Sequence, residues 1–198
     1  MALFNTLFGA RATNDRRARA PTSGTALRAA ELLRSSTALI QLSEKEALTV
    51  VGYMEMRRCA EGEAIIRQGD SGGSGDDGFM ALVVEGEVTV ETLNVSRIDA
   101  QTVNVLGPGH LMGEMSLMDG AARSATCTAS TEVRCAVLNR DALEAMIAEE
   151  PTTAAKLLSA VALRLSRRLR EVDGKLHLYS QLVFSMQQEI DRLVPDLD

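Results

Sequence analysis

Two charged residues, Glu114 and Arg123, stand nine positions apart in a run of small and apolar residues. Arginine offers a planar fork of N–H donors that fits a phosphate, whereas a glutamate accepts from hydroxyl groups and repels phosphate. A ligand with both a phosphate and a sugar hydroxyl would engage both side chains, but the residues alone favour a simple ion pair on a surface loop. The run from Gly113 to Arg123 fits neither the period of a strand nor that of a helix. It predicts a compact turn, followed by a strand from Ser124.

The composition favours one domain of ordinary size with appendages, and it argues against several classes of function. The chain has 198 residues, of which 45% are hydrophobic and 24% charged, with a formal net charge of −6. An acidic chain is a poor general binder of nucleic acid, and an aromatic content of 3% without tryptophan leaves few surfaces on which single strands could stack. No apolar run approaches the ~18 residues that a membrane-spanning helix needs, so the protein is predicted not to be transmembrane.

Residues that could form a metal site or a catalytic centre are few and scattered. Cys59, Cys127 and Cys135 share no CxxC spacing, and an odd number of cysteines leaves one unpaired, which fits a reducing cytoplasm. The two histidines, His110 and His177, do not make a zinc site without help from distant ligands. No nucleophile–base pair and no P-loop is visible. We therefore predict a cytoplasmic protein that is not an enzyme and has no metal site and no resident cofactor.

Residues 1–24 are predicted to form a flexible N-terminal segment. The apolar residues 1–10 precede a group of arginines and the turn sequence at residues 21–24, which is the wrong order for a secretory signal. The segment could act as an amphipathic hook for a membrane surface or for a groove on a partner, but a frayed terminus is the preferred interpretation.

The second predicted domain, residues 25–150, begins with helices and continues with strands. Apolar residues recur with a helical period from residue 25 to about 58, and Ser43 with Glu46 forms a capping box that starts a new helix. The period then changes to two, and Asn139 caps a further short helix after the strands. Strands are predicted over residues 56–59, 64–67, 79–84, 88–93, 102–106, 124–128 and 133–138. Short strands with tight glycine turns predict an α+β fold built on a β-barrel, roll or sandwich.

The third predicted domain, residues 151–194, is one long helix that Pro151 opens and Pro195 stops. Its apolar positions advance in alternating steps of four and three, at Leu165, Leu169, Val172, Leu176, Tyr179, Val183, Met186, Ile190 and Leu193. This repeat is typical of the seam of a left-handed coiled coil. Because a small roll cannot cover so long a stripe, we predict a homodimer with parallel helices. Gly174 weakens the helix by ~1 kcal/mol relative to alanine.

In this order of elements, the chain resembles the cyclic nucleotide-binding domain of the Crp/Fnr (catabolite activator protein-like) superfamily over residues 39–170. The phosphate-binding cassette of that family reads approximately F-G-E-x-A-L, a short gap and P-R-x-A. Residues 112–117 read MGEMSL here, residues 122–125 read ARSA, and the supporting motifs are GEAIIRQGD and LVVEGEV. The departures from the family pattern are Met112 for an aromatic residue, Ser116 for alanine and Ala122 for proline. They concern the rigidity of the loop more than binding.

The resemblance implies a jelly-roll-like antiparallel β-roll, flanked by N-terminal helices and followed by a long dimerisation helix. It also implies that Glu114 accepts a hydrogen bond from a ribose 2′-hydroxyl and that Arg123 pairs with a cyclic phosphate. Gly113 would allow close approach of the backbone, and the small Ala125 would leave room for the sugar. The ligand-binding residues implied in the cassette are Gly113, Glu114, Met115, Ser116, Arg123, Ser124 and Ala125.

The resemblance further implies that polar side chains of the long helix reach the base. Alignment on Pro151 places these positions at Arg168 and Leu169, with Arg164 one turn earlier. An arginine can stack on either purine or donate to N7 and O6 of guanine. A solvated helix flank is an equally good interpretation for each of these arginines. Family abundance alone favours cAMP as the ligand, and cGMP stays possible.

The function that the resemblance implies is that of a cyclic nucleotide sensor, which signals through its dimer helix to a protein partner. Transcription factors of the family continue into a helix-turn-helix domain after the dimer helix, whereas only residues 195–198 follow here. We therefore expect no DNA binding. The alternative is an interaction or scaffold protein on the same roll, either without a ligand or with a cyclic dinucleotide.

Overall fold

The structure is a computed structural model, which describes residues 23–35, 42–70, 78–93 and 100–193. The proposed hook at residues 1–10 lies outside the described residues. The helices are α1 (Gly24–Ser35), α2 (Glu44–Gly52), α3 (Glu114–Asp119), α4 (Arg140–Glu149) and α5 (Pro151–Leu193). The strands are β1 (Glu55–Cys59), β2 (Ala64–Ile66), β3 (Phe79–Glu85), β4 (Val88–Leu93), β5 (Ala100–Leu106), β6 (Leu111–Met112), β7 (Thr126–Ala129) and β8 (Val133–Asn139).

The strands form two antiparallel sheets of four strands each, in the orders β1-β8-β3-β6 and β2-β7-β4-β5. One buried cluster joins residues of both sheets, among them Ile66, Val83, Val88 and Cys135. Because side chains alternate between the faces of a strand, β3 also sends Met80 and Leu82 to the opposite face. The predicted α+β fold with an antiparallel β-roll is confirmed.

The helices cover the outer face of the β1-β8-β3-β6 sheet. Residues of α1, α2, α4 and the start of α5 share one buried cluster with β3 and β8. The predicted capping box is present, since the Ser43 hydroxyl accepts from the Glu46 amide and the Glu46 carboxylate accepts from the Ser43 amide. Asn139 caps α4, as predicted, by accepting from the amide of Ala142.

The long helix α5 changes its surroundings along its length. Ala154, Leu157 and Val161 are buried against the roll, whereas every residue described from 167 onward is exposed. The seam residues from Leu169 to Leu193 are among the exposed apolar side chains, and Val183 is 65% exposed. The long helix is confirmed, and the homodimer stays a prediction. No described helix is both long enough and apolar enough to cross a membrane.

Two short elements were not predicted. The run after Gly113 is not a plain turn, because its first six residues form α3, and the next strand begins at Thr126 rather than Ser124. Strand β6 has two residues and was missed. Fewer than two helical turns, or two strand residues, give no period to read in a sequence. The helical pattern read to about residue 58 also ends earlier, at Gly52.

An ion pair between Glu46 of α2 and Lys156 fastens α5 to the N-terminal helices. The hydrogen bond from Lys156, followed by those from Ser43, lowers the pKa of Glu46 from 4.5 to about 2. A carboxylate whose pKa is lowered by folding stabilises the protein above its ordinary pKa, and this contribution is lost as the pH falls through the folded value. We therefore expect Glu46→Gln to reduce the melting temperature at neutral pH.

The difference between wild type and Glu46→Gln should shrink between about pH 4.5 and pH 2, where the wild-type carboxylate takes up its proton. Thermal unfolding followed by circular dichroism across this range measures it. Glu44→Gln, two residues earlier in the same first turn of α2, is the matched control and should show a smaller difference at neutral pH. A Glu46→Gln difference that does not change with pH would contradict the assignment.

Candidate functional site

One cavity of about 550 Å³ lies between the roll and α5, and all nine predicted ligand-binding residues line it. Seven come from the segment around α3, and Arg164 and Arg168 come from α5. The other lining residues include Ile66, Val90, Asn104, Leu106, Leu111, Met112, Cys127, Leu157, Val161, Arg167, Glu171, Val172 and Lys175. Leu169, the other position considered for base contact, is 62% exposed and is not among them.

Arg123 is held in the cavity wall by the start of β3. Its Nη1 donates to the carbonyl oxygens of Phe79 at 2.8 Å and Gly113 at 3.1 Å, and its guanidinium carbon lies 4.3 Å from the centre of the Phe79 ring. The backbone is fixed as well, since the Arg123 amide donates to Asp70 and its carbonyl accepts from Gly69. The side chain is only 8% exposed. Its planar group is therefore oriented before any ligand enters.

Gly113 allows the chain to pass between β3 and Arg123. Its φ of +77° belongs to the left-handed region that favours glycine. A Cβ here would lie 2.6 Å from the Phe79 carbonyl oxygen and 2.8 Å from Arg123 Nη1. The residue thus lets α3 begin beside the guanidinium and places Glu114 in its first turn.

Gly113→Ala should destabilise the protein by about 2 kcal/mol or more, because the left-handed backbone and the contact with Phe79 are both unfavourable to a side chain. Urea denaturation measures the change. Gly174→Ala is the matched control: a Cβ added there meets no side chain within 4 Å, and an alanine in a helix interior should stabilise the protein by about 1 kcal/mol. Changes of the same sign at both positions would contradict this account.

Glu114 is buried, with 4% of its surface exposed, and its Oε1 lies 4.0 Å from Nη1 of Arg168 on α5. Glu114 and Arg123 therefore do not lie on an exposed surface loop, since both are buried in the cavity wall. A buried carboxylate needs hydrogen-bond donors, and a ligand hydroxyl can supply them. The structure thus brings a group that can bind an anion and a group that can accept from a hydroxyl into one cavity.

The wall that α5 contributes follows a single stripe of the helix. Leu157, Val161, Arg164, Arg168, Glu171 and Lys175 all line the cavity, in steps of four and three. These steps put them on one face of the helix. The stripe is apolar at Leu157 and Val161, where α5 packs on the roll, and charged from Arg164 onward. It lies next to the row of apolar residues that forms the heptad seam. Arg164 Nη2 also donates to the Leu111 carbonyl oxygen at 3.0 Å, which ties α5 to β6.

The cavity has an excess of positive charge although the chain is acidic. Five cationic side chains line it, against the carboxylates of Glu114 and Glu171. Burial, reinforced by the charge of Glu114, raises the pKa of the Cys127 thiol to about 11, so this thiol adds no negative charge at physiological pH. An anion is the ligand that such a field favours. The described residues contain no cluster of three or more His, Cys, Asp or Glu that could hold a metal ion.

Phe79, which lies against Arg123, and the cavity residues Glu171 and Lys175 were not predicted as site residues. Phe79 packs against the guanidinium of Arg123 and is the first residue of β3. No sequence motif around Phe79 indicates this contact. Glu171 and Lys175 were detectable, because each lies seven residues after an arginine already proposed, namely Arg164 and Arg168. Seven residues are two helical turns, so the pairs share a face.

The chain is similar in sequence to known cyclic nucleotide-binding proteins. The sequence model of the cyclic nucleotide-binding domain matches residues 56–150. The cyclic AMP receptor protein of Thermus thermophilus is 34% identical over 139 residues, which are 70% of this chain and 60% of that protein. The CRP-like cAMP-activated global transcriptional regulator of Mycobacterium tuberculosis is 35% identical over 83 residues, 42% of this chain and 34% of that protein.

Among solved structures, a cyclic nucleotide-binding domain from Methylobacillus flagellatus superposes with a TM-score of 0.64 at 31% identity. The match covers 74% of this chain and 79% of that one. The chain spans less than two thirds of the length of the two curated relatives, but most of this isolated domain. By sequence and by fold, the chain belongs to the family of cyclic nucleotide-binding domains related to CRP-like regulators.

Proposed function

We propose that the cavity binds a cyclic purine nucleotide and that the protein is a sensor of it. Arg123 pairs with the cyclic phosphate, and Glu114 accepts from the ribose 2′-hydroxyl. The observation that carries the proposal is that these two buried side chains line one cavity, with Arg123 already fixed by two carbonyl oxygens. The volume of about 550 Å³ is in the range of about 300–1,000 Å³ that is usual for small-molecule sites.

The output of the sensor passes through α5 to a protein partner. The same helix lines the cavity and presents the exposed seam, so its position responds to both. A ligand shifts the population of helix positions only by its difference in affinity between them. Contacts with Arg164 and Arg168 supply that difference. The net charge of −6 favours a protein over DNA as the recipient of the signal, and a homodimer through the seam is part of the proposal.

Isothermal titration calorimetry on the full chain tests the binding step. Cyclic AMP and cyclic GMP should each give a measurable constant with one site per chain, and the linear 5′-monophosphates should bind more weakly because their geometry does not match the clamp. The names of both curated relatives include cAMP, and cAMP is therefore the ligand that the family similarity favours. Failure of both cyclic nucleotides to bind at high micromolar concentration would overturn the proposal.

A second candidate ligand is a cyclic dinucleotide, with the protein acting as an interaction or scaffold module. It is favoured by one observation, the five cationic side chains around a cavity that a single cyclic phosphate would only partly neutralise. A competition titration separates the two. Displacement of a bound cyclic mononucleotide by a cyclic dinucleotide at lower concentration would support the second candidate.

A further inference from the structure

We propose that the α5 wall of the cavity selects guanine over adenine, with Glu171 as the residue that reads the base and Arg167 and Lys175 as flanking donors. The inference rests on the proposed function, because it names the base of the same ligand. It departs from the expectation of cAMP, which came from family abundance and not from any residue of the cavity.

Some of the charged side chains of α5 that line the cavity already have a partner among the described residues, and others do not. Arg164 donates to the Leu111 carbonyl oxygen, and Arg168 lies 4.0 Å from the Glu114 carboxylate. Glu171, Arg167 and Lys175 also line the cavity, and they make no ion pair or hydrogen bond with the described part of the chain. One carboxylate and two cations, each one helical turn from the carboxylate, are thus available to a ligand.

The hydrogen-bonding groups of guanine match one carboxylate flanked by two cations. Its N1–H and N2 amino group are adjacent donors that one carboxylate accepts together, and its O6 and N7 are adjacent acceptors that suit an arginine or lysine. Adenine offers one amino group, next to the unprotonated N1, whose lone pair repels a carboxylate oxygen. With adenine, one oxygen of Glu171 would therefore lose its water without gaining a donor.

Stacking does not override this discrimination. No aromatic side chain is among the described residues that line the cavity, so the base is read through hydrogen bonds and charge. Glu171 is itself exposed in the single chain, which limits the effect. A bidentate pair discriminates between bases by roughly 5- to 150-fold, and we expect the lower part of that range, roughly tenfold.

The test is a calorimetric titration of the full chain with cGMP, cIMP and cAMP. Cyclic IMP keeps O6 and N1–H but lacks the amino group, so the expected order of affinity is cGMP, then cIMP, then cAMP. In Glu171→Gln the preference for cGMP over cAMP should fall from roughly tenfold to less than about threefold, mainly through weaker cGMP binding. Asp173→Asn, the same charge change two residues further on and outside the cavity lining, is the control and should keep the wild-type ratio.

The ratio of affinities is insensitive to a general loss of folding, and it separates this proposal from the proposed function. Binding of cAMP as tight as that of cGMP, or an unchanged ratio in Glu171→Gln, would overturn guanine selection. If cAMP binds as tightly as cGMP and Arg123→Ala abolishes the binding of both, the sensor proposal stands while the base assignment falls. If no cyclic nucleotide binds, both proposals fall together.

Discussion

Arg123→Ala should abolish measurable cyclic nucleotide binding, with a loss of roughly 100-fold or more in affinity. Removing one partner of a buried, hydrogen-bonded charge pair costs about 2–5 kcal/mol, and each 1.4 kcal/mol is about tenfold in the dissociation constant. Arg123→Lys should recover only part of the affinity, because lysine keeps the charge and loses the planar fork. Calorimetry with the tighter of the two cyclic nucleotides measures both losses.

The control for this experiment is Arg134→Ala. Arg134 is an arginine of β8 outside the cavity, and its Nε lies 3.3 Å from Oε2 of Glu85. Its replacement should leave the affinity for the cyclic nucleotide unchanged. Since Arg123 also bonds to the backbone of Phe79 and Gly113, its variants need a check by circular dichroism. Glu114→Gln, which removes the charge and replaces one acceptor oxygen by an NH2 donor, is a second test of the clamp and should weaken binding about tenfold. Intact binding in a folded Arg123→Ala would refute the clamp.

Val183→Asp should convert a dimer into a monomer. Val183 lies near the middle of the exposed seam, at a position that faces the partner helix in a coiled coil. A carboxylate buried there on both helices would have no partner, and the cost of burying such charges exceeds what one heptad of apolar contacts contributes. Light scattering coupled to size-exclusion chromatography measures the mass, which should fall from two chains to one.

Gln188→Asp, five residues further on and on the opposite side of the helix from the seam, is the matched control and should leave the dimer intact. A wild-type chain that already has the mass of one copy would contradict the predicted homodimer. An unchanged dimer in Val183→Asp would instead contradict the register of the seam.

The parts of this fold that a sequence reveals are those with many repeats of one pattern. The seam of α5 extends over four heptads, so its helix was predicted to within a few residues at each end. The capping residues Ser43 and Asn139 were predicted because a cap depends on local chemistry alone. Helix α3 and strand β6 were not, since their conformation is imposed by neighbours and by the left-handed backbone of Gly113.

In the candidate site, too, some features could be predicted from the sequence and others could not. The spacing of Glu114 and Arg123 allowed a phosphate–hydroxyl clamp, but only the family resemblance favoured it over a surface ion pair. The burial of both residues, the ring of Phe79 beneath the guanidinium and the approach of Arg168 to Glu114 depend on segments far apart in the chain. No local pattern encodes these contacts. They follow from the packing of the roll against α5.

The stripe of α5 that lines the cavity and the stripe that forms the seam are adjacent rows on one rigid helix. Thermodynamic linkage then makes the two equilibria reciprocal: if dimer formation raises nucleotide affinity by some factor, nucleotide raises dimer affinity by the same factor. If the proposed homodimer forms and this factor differs from one, the apparent dissociation constant of the nucleotide depends on protein concentration. Over a concentration range that spans dimer dissociation, the chain would report its own abundance as well as that of its ligand.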